Sequence, residues 1–415
     1  MKVLLATQYF YPHSSGGTES YVLNLARSLK TYDCEVAILK VGYESNYSYQ
    51  GIPVYVIPFL KNDLDQEYNL ELFESILREF NPVIFHLHTL HSHLNGVHLK
   101  RASILGIKCY FTAHLPNVTC PKGDLLYLNM TQCSGKVTKK KCLDCILKTN
   151  RKKSNVLTRT TLYLSFLFVN LRKKFSAINS IFYTSNQIFL LNEYALNIFV
   201  HSKWQKYTLD DNGFNKAKTE VIPLGIKSIF FTYESTNIKT YDICFIGRFS
   251  EEKGLNVLIS ALKLLESKFS VCLIISLNEN QKSEVLNIIS NVGEKHSISI
   301  NYNLNEEKII KKLDASNMLV VPSTWIETGP FVVLEALSRK VPVLGSNIGG
   351  IKNLIIPNEN GYLFEMNNAA ELAKMIRNFS LQLSEKKFIF YNRQKIITTE
   401  MYAKRILKTY RWEQN

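Results

Sequence analysis

Short apolar runs alternate with longer stretches of helical periodicity along the N-terminal part of the chain. The runs at 2–6, 35–40 and 108–113 have the length of buried strands, and the apolar positions between them recur every three or four residues. This pattern predicts strands separated by amphipathic helices. Strands and helices that alternate in this order form a parallel, doubly wound sheet with helices on its faces.

A second alternation follows a polar segment at 235–240, which has the composition of a linker. Its apolar runs lie at 242–247, 271–276, 297–300, 318–321 and 341–344. We therefore predict two facing Rossmann-like doubly wound parallel-sheet domains with a catalytic cleft between them. The first takes 1–223, with an insertion at about 116–179, and the second takes 224–395. A C-terminal helix in 396–415 is expected to pack back on the first domain.

The charge of the protein is concentrated in the insertion. Lysines and arginines outnumber acids by 50 to 35, a net charge of +15, and the segment from Lys136 to Lys174 holds twelve of these cations and one acid, Asp144. A basic patch confined to one insertion favours an anionic membrane surface over a nucleic-acid groove that runs along a domain. We therefore expect no nucleic-acid partner, and a nucleic-acid-binding protein is the less favoured alternative.

The apolar segments predict where the protein acts. No secretory signal opens the chain, and the longest apolar run, Leu162 to Val169, is far shorter than the roughly 20 residues that span a bilayer. The segment 162–171, followed by Arg172 to Lys174, has the composition of an interfacial helix. A buried helix with a basic end is the alternative. We expect a cytoplasmic protein, peripheral on the inner face of the plasma membrane.

The strongest chemical signal lies in the segment 322–337, where a strand ends and a helix begins near Pro330. Proline suits the first turn of a helix, and the free amides that follow Gly329 would face an anion. Glu335 falls in an otherwise apolar run of this helix, where a carboxylate without a partner is costly. Ribose hydroxyls are natural partners for it. The alternative is that Glu327 and Glu335 are solvated or cap backbone amides.

Two further elements favour an anionic ligand. Arg248 stands at a strand end and Lys253 at the next helix start, where a cation opposes the helix dipole. A shared anion would explain the pair, and two solvated surface cations are the alternative. Gly16 and Gly17 lead into a helix after the first strand, which lets a ligand approach the backbone closely. An ordinary flexible turn explains these glycines about as well.

These residues resemble the retaining glycosyltransferases of family 4. Glu327 and Glu335, eight positions apart, look like the Glu-x7-Glu signature of that family. Its other hallmarks fall at the Arg248/Lys253 pair, at Gly16-Gly17 and at Thr112-Ala113-His114. The resemblance extends over about 2–364. It implies the two-domain B-type glycosyltransferase fold and the transfer of a sugar from a nucleotide sugar with retained anomeric configuration.

The resemblance also implies the roles of the candidate residues. Glu335 would hold the ribose hydroxyls, and Arg248 and Lys253 would neutralise the departing diphosphate. Glu327 and His114 would contact the donor sugar, the histidine near the reacting centre. The other donor-binding residues would be Gly16, Gly17, Thr328, Gly329, Phe331 and Val332. Fixed cations and a helix terminus stabilise a leaving diphosphate by themselves, so no catalytic cofactor is expected.

The expected substrates are a nucleotide sugar and a lipid-linked or oligosaccharide acceptor in bacterial surface polysaccharide synthesis, such as O-antigen, capsule or exopolysaccharide. A nucleotide-sugar epimerase or hydrolase on the same fold is the alternative. The turn 275–278 lacks the glycines that the family often has there, which leaves the choice of nucleotide open.

Two clusters in the first domain raise the question of metal binding. The insertion contains four cysteines in a C-x12-C-x8-C-x2-C pattern, Cys120, Cys133, Cys142 and Cys145. In a reduced compartment this set suits a structural zinc ion, and free, partly buried thiols are the alternative. Six of the nine histidines fall between His86 and His114. Because several follow a strand end, we interpret them as cleft lining or acceptor contacts rather than metal ligands.

Overall fold

A computed structural model describes residues 1–14, 16–59, 65–149, 176–234, 238–383 and 396–412. The chain divides into two compact units, which are Met1–Pro223 together with Thr399–Asn415 (unit 1) and Leu224–Thr398 (unit 2). Each unit contains a mainly parallel sheet flanked by helices, so the predicted two-domain α/β class is confirmed. Residues 150–175, which include the apolar segment 162–171 and Arg172 to Lys174, lie outside the described residues.

Unit 1 is built on a sheet whose described strands number eight and pair in the order β10-β9-β6-β5-β1-β2-β4-β3, with only β3 antiparallel. The strands are β1 (Lys2–Ala6), β2 (Glu35–Val41), β3 (Tyr47–Tyr49), β4 (Ile52–Ile57), β5 (Ile84–Leu87), β6 (Lys108–Thr112), β9 (Asn197–Val200) and β10 (Thr219–Val221). A short hairpin in the insertion consists of β7 (Leu126–Tyr127) and β8 (Thr131–Gln132).

The helices of unit 1 cover this sheet. They are α1 (Gly17–Lys30), α2 (Asp65–Phe80), α3 (Gly96–Ile104), α4 (Lys139–Thr149), α5 (Ser176–Tyr194), α6 (Lys203–Asp210) and the C-terminal helix, labelled α14 below (Thr399–Trp412). Helix α1 buries residues spaced by three and four, among them Val22, Ala26 and Leu29, against the sheet. Helix α14 packs on α1 within this unit, where Tyr402 contacts Tyr21.

Unit 2 carries a fully parallel sheet whose described strands pair in the order β14-β13-β12-β15-β16-β17. These strands are β12 (Tyr241–Arg248), β13 (Ser270–Ser276), β14 (Ser297–Tyr302), β15 (Ser316–Val321), β16 (Val343–Ser346) and β17 (Gly361–Phe364). A separate parallel pair joins β11 (Gly225–Ile226) to β18 (Ile397–Thr398). The helices are α7 (Ile229–Thr232), α8 (Leu255–Leu264), α9 (Lys282–Gly293), α10 (Glu306–Asp314), α11 (Phe331–Ser338), α12 (Gly349–Leu354) and α13 (Ala369–Leu383).

The strand orders locate a switch point in each sheet. In unit 1, β1 pairs with β2 on one side and with β5 on the other, and in unit 2, β12 lies in the same way between β13 and β15. The connections therefore leave in opposite directions next to β1 and next to β12. In open α/β sheets, ligands bind beyond the carboxyl ends of the strands at such a point. Ligand-binding residues are thus expected in the loops after β12 and β15 and in those after β1 and β5.

Candidate active site

The loops after β12 and β15 in unit 2 are joined by backbone contacts. The amide of Thr324 donates to the carbonyl of Glu252 at 2.9 Å, and its hydroxyl donates to the carbonyl of Glu251 at 3.1 Å. Gly254 has a φ of +72°, and a Cβ at this position would lie 1.8 Å from the carbonyl oxygen of Pro322. Only glycine satisfies both the left-handed backbone and the close approach. The two loops therefore form one compact cradle at the switch point.

Lys253 and Glu327 meet in this cradle although 74 positions separate them in the chain. The ammonium of Lys253 donates to Oε1 of Glu327 at 2.8 Å, and the hydroxyl of Ser323 donates to the same oxygen at 2.7 Å. The side chains of Lys253 and Glu327 are 26% and 15% exposed. A partly buried pair of this kind holds both groups in one geometry. An anionic ligand that reaches Lys253 would find the ammonium already positioned.

Arg248, the last residue of β12, is exposed and makes no ion pair with any described carboxylate. A hydrogen bond from the backbone lowers the pKa of Glu252, and the charges of Arg248 and Lys253 lower it further, against the effect of burial. Lys253 itself lies in a single 3-10 turn, Glu251–Lys253, that precedes α8 rather than within the helix. The two cations of the cradle therefore help to keep the carboxylate of Glu252 ionised.

Helix α11 begins at Phe331 with Pro330 as its N-cap, and the predicted helix start is thus close to the observed one. The first amides of a helix have no carbonyl partner within it, and here these are the amides of Phe331 and Val332, next to Gly329. The amide of Gly350 donates to the carbonyl of Glu327 at 2.6 Å, which holds the loop before α11 against α12.

Two glycines of α12 permit this contact. A Cβ at Gly349, whose φ is +47°, would lie 2.7 Å from the carbonyl oxygen of Glu327. A Cβ at Gly350 would lie 2.6 Å from the carbonyl oxygen of Thr328. Both glycines thus support the loop that carries Glu327 and Thr328. They thus position two residues predicted to bind the donor sugar nucleotide, although neither glycine was predicted to bind it.

Glu335 lies on α11 and is partly buried. Burial raises the pKa of its carboxyl from 4.5 to about 7, while the nearby charge of Lys227 lowers this pKa and that of Glu306 raises it. Lys227 and Glu306 form an ion pair with each other. Among the described residues, no side chain hydrogen-bonds the carboxylate of Glu335. A poorly solvated acidic group without a protein partner is typical of a ligand-binding position.

In unit 1, Gly16 is the N-cap of α1, and its φ of −164° is ordinary extended backbone that any residue adopts. Helix α1 begins at Gly17, so its first amides lie where the sequence places the glycine-containing loop. The hydroxyl of Ser14 donates to Glu19 in the first turn at 2.9 Å. The role of the two glycines toward a phosphate stays a prediction.

His114 follows β6 and is buried among other histidines. Its Nε2 lies 3.1 Å from Nδ1 of His88, and its Nδ1 lies 3.2 Å from Nε2 of His201. Burial, together with the charges of its two neighbours, holds the pKa of His114 well below 6.5. Both ring nitrogens are therefore engaged within unit 1. The predicted contact of His114 with a sugar stays a prediction. The hydrogen bonds of His114 to His88 and His201 were not expected from the sequence.

The four cysteines of the insertion are free thiols. Burial raises the pKa of Cys142, a hydrogen bond from the backbone lowers it, and the nearby Cys120 and Cys133 raise it. The sulfur of Cys145 accepts from the amide of Leu128 at 3.4 Å. Within the described ranges, no group of three or more His, Cys, Asp or Glu side chains is arranged to hold a metal ion. The zinc site stays a prediction.

The sequence did not reveal which side chains hydrogen-bond the candidate residues or lie close to them as charges. Ser323 and Lys253 donate to the same oxygen of Glu327, and the charges of Lys227 and Glu306 act on Glu335.

Of the described helices, none is long and apolar enough to cross a membrane.

Comparison with known proteins defines the class. Residues 15–132 match the model of the family described as Glycosyltransferase Family 4, and residues 231–395 match that described as Glycosyl transferases group 1. The two models match one unit each, so the chain is a two-domain glycosyltransferase, and the resemblance found in the sequence is confirmed.

Several known proteins are similar over most of the chain. An uncharacterized glycosyltransferase of Methanocaldococcus jannaschii is 21% identical over 371 residues, which cover 87% of this chain and 84% of that protein. HepE of Anabaena, solved with UDP and glucose, is 16% identical with a TM-score of 0.66 over 99% of both chains. The lipopolysaccharide outer core galactosyltransferase WaaB, solved without ligand, is 13% identical with a TM-score of 0.64 over 100% of both chains. These two structures show the fold.

Proposed function

We propose that this glycosyltransferase moves a sugar from a nucleotide-sugar donor to a lipid-linked or oligosaccharide acceptor, with retention of anomeric configuration, in the synthesis of a bacterial surface polysaccharide. The proposal of a nucleotide-sugar donor rests on the carboxylate of Glu335, which has no hydrogen-bond partner among the described side chains. It sits on the helix whose N-terminus adjoins Glu327 and Lys253. HepE, a structural neighbour, was solved with UDP and glucose, and WaaB is a lipopolysaccharide galactosyltransferase.

The geometry of unit 2 supplies the chemistry that such a transfer needs. Ionised Glu335 accepts hydrogen bonds from the ribose hydroxyls, which replaces the water that its burial removes. Lys253 and Arg248 neutralise the diphosphate, and the amides of Phe331 and Val332 add the partial charge of a helix terminus. Lys253 is held by Glu327 before the reaction and the amides are held by the helix, so these groups stabilise the leaving group as its charge develops. The departing phosphate then takes the proton of the acceptor hydroxyl.

The proposals of a lipid-linked acceptor and of a membrane contact rest on the positive charge of the insertion. In the described part of the insertion, Lys136, Lys139, Lys140 and Lys148 are exposed. Cations on one surface segment bind anionic headgroups, and a lipid-linked acceptor would be presented there. Pelleting with anionic vesicles should fall when Arg151 to Lys153 and Arg172 to Lys174 are neutralised. Unchanged pelleting of that variant would refute the membrane contact.

Calorimetric titration with UDP-, GDP- and ADP-sugars tests the donor half. We expect one nucleotide class to bind the wild type, Glu335→Ala to lose that binding, and Glu284→Ala, an exposed glutamate on α9, to keep it. Binding of no member of the panel, or equal binding by both variants, would refute the donor site.

Product analysis with and without an added acceptor separates a transferase from an epimerase or a hydrolase. A transferase forms a new glycoside only when acceptor is present, and the anomeric configuration of that product tests retention. The nucleic-acid alternative predicts salt-sensitive binding to random DNA that survives substitution of Arg248 and Lys253.

A further inference from the structure

Three histidines stand in a row along the carboxyl edge of the sheet in unit 1. His88 follows β5, His114 follows β6 and His201 follows β9, and these three strands are neighbours. The nitrogen distances are 3.1 Å from His88 to His114 and 3.2 Å from His114 to His201. Nδ1 of His201 then lies 3.2 Å from the carbonyl oxygen of Ile222. The row is a continuous chain of hydrogen bonds that ends on a backbone carbonyl.

That carbonyl fixes the direction of every bond in the chain. A carbonyl oxygen only accepts, so Nδ1 of His201 carries a proton, and Nε2 of the neutral ring is an acceptor. His114 must then donate from Nδ1, which leaves its own Nε2 as an acceptor. His88 donates to it from Nδ1 in turn. All three rings are therefore neutral Nδ1–H tautomers, and burial favours the neutral form because it lowers the pKa of each.

The chain leaves one lone pair without a donor. Nε2 of His88 is buried and has no hydrogen-bond partner among the described residues. The ring of Tyr21 covers all three histidines, but its hydroxyl donates to the hydroxyl of Tyr402 instead. The neighbouring His86 is engaged with Tyr410 and Thr112. Buried polar atoms are rarely left unsatisfied, so a missing donor is indicated at this point.

The position of the lone pair indicates which donor is missing. His88 directly follows β5, and β5 and β1 enclose the switch point of this sheet. Open α/β sheets bind their ligands there. A sugar acceptor presents hydroxyl groups, which are the donors that an unprotonated imidazole nitrogen accepts. In a buried place such a bond counts for more than in water.

We propose that the three histidines form a polarised hydrogen-bond relay that presents Nε2 of His88 as the acceptor for a hydroxyl group of the glycan acceptor, with His114 and His201 as positioning residues. The proposal rests on the proposed transferase function. His201 acts through its neighbours. Its bond to the carbonyl of Ile222 sets its own tautomer, which sets that of His114 and, through His114, that of His88. His88 is the ring that touches the substrate.

The first test reads the tautomers of the whole protein by NMR with ¹⁵N-labelled histidine, without any substrate. We expect His88, His114 and His201 to be protonated on Nδ1 alone. A proton on Nε2 of His88 or His114 would overturn the relay. This result does not depend on whether the protein transfers sugar, so failure of the proposed function and failure of the relay are distinguishable.

The second test replaces His201 with phenylalanine, which keeps a ring but removes the acceptor for His114. The matched control is His98→Phe, because His98 is equally buried, has a pKa lowered by burial to about 4 like His201, and bonds Asn69 and Asn95 outside the relay. The loss of one hydrogen bond changes affinity about threefold to tenfold. We expect the KM for the glycan acceptor to rise by that factor in H201F and to stay at the wild-type value in H98F.

His201→Gln keeps an acceptor oxygen and is expected to restore the acceptor KM toward the wild-type value. This variant also keeps the test open if H201F fails to fold. An acceptor KM that stays unchanged in H201F, although NMR shows His114 and His88 released from the Nδ1–H tautomer, would overturn the proposal. A buried water molecule would then be the partner of His88.

Discussion

Replacement of Glu335 by glutamine removes a charge from a poorly solvated position on α11 and keeps the shape of the side chain. Burial raises the pKa of this carboxyl from 4.5 to about 7, with Lys227 opposing and Glu306 adding to the rise. The carboxyl thus resists ionisation in the folded protein more than in the unfolded chain. At neutral and higher pH, its charge works against the fold. We expect Glu335→Gln to be the more stable protein at pH 8.

The size of the effect follows from the two pKa values. One pKa unit corresponds to 1.36 kcal/mol, so a rise from 4.5 to about 7 is worth about 3 kcal/mol. Because the folded pKa is the higher one, this stability is present below about pH 4.5 and is lost as pH rises through about 7. The stability gap between variant and wild type should therefore approach about 3 kcal/mol at pH 8 and shrink toward zero near pH 4.5.

Guanidinium unfolding measures this gap, followed by the fluorescence of Trp325 in a background where Trp204 and Trp412 are phenylalanine. Trp325 is then the only tryptophan, and it reports on unit 2. The same substitution should weaken binding of the nucleotide sugar about tenfold or more, because it removes a charged acceptor of hydrogen bonds. A variant that is less stable at pH 8, or a gap that does not change with pH, would refute the reasoning about Glu335.

Two further predictions concern backbone fit and acid stability. Gly254→Ala should lose more than about 2 kcal/mol of unfolding free energy, since left-handed strain of about 1 kcal/mol adds to a collision with Pro322. Gly213→Ala, with a similar φ and open space around it, should lose the strain alone, and equal losses in thermal unfolding would contradict this. Unit 1 should become less stable as pH falls from 6.5 toward 4, by about 3 kcal/mol for His201 alone, because burial lowers its pKa to about 4. Acid titration of the unfolding free energy checks this, and a flat profile would contradict it.

The fold could be predicted from the sequence because each strand and each helix leaves a pattern in its own short segment of the chain. Apolar runs such as 242–247 and 271–276 need burial on both faces, and the helices between them bury one stripe each. Elements of this kind can be recognised without knowledge of their neighbours. The bounds of these elements are harder to predict: the apolar periodicity of α2 begins only at Leu70, five residues after the helix starts at Asp65. The polar first turn of a helix carries no apolar period, so the pattern alone misses it.

Contacts over long separations account for what the sequence could not show of the site. The motif around Glu327 identifies a carboxylate, but its bond to Lys253 joins two loops that only the order of β12 and β15 brings together. Sequence likewise placed His114 at a strand end and left the directions of its bonds undetermined. Those directions depend on the carbonyl of Ile222, 108 positions further along the chain. A backbone carbonyl leaves no trace in side-chain composition, so the tautomers follow from the structure alone.

Each unit has one poorly solvated hydrogen-bond acceptor that follows, along the chain, a strand at the switch point of its sheet. In unit 2, the carboxylate of Glu335, on the helix that follows β15, has no hydrogen-bond partner among the described side chains. In unit 1, Nε2 of His88, beside the β1/β5 switch point, has no donor among the described residues. Both groups are acceptors, and both are poorly solvated, so each reduces stability until a hydroxyl-bearing ligand arrives. The two proposed ligands, a ribose-containing nucleotide sugar and a glycan, both carry hydroxyl groups that would donate to these acceptors.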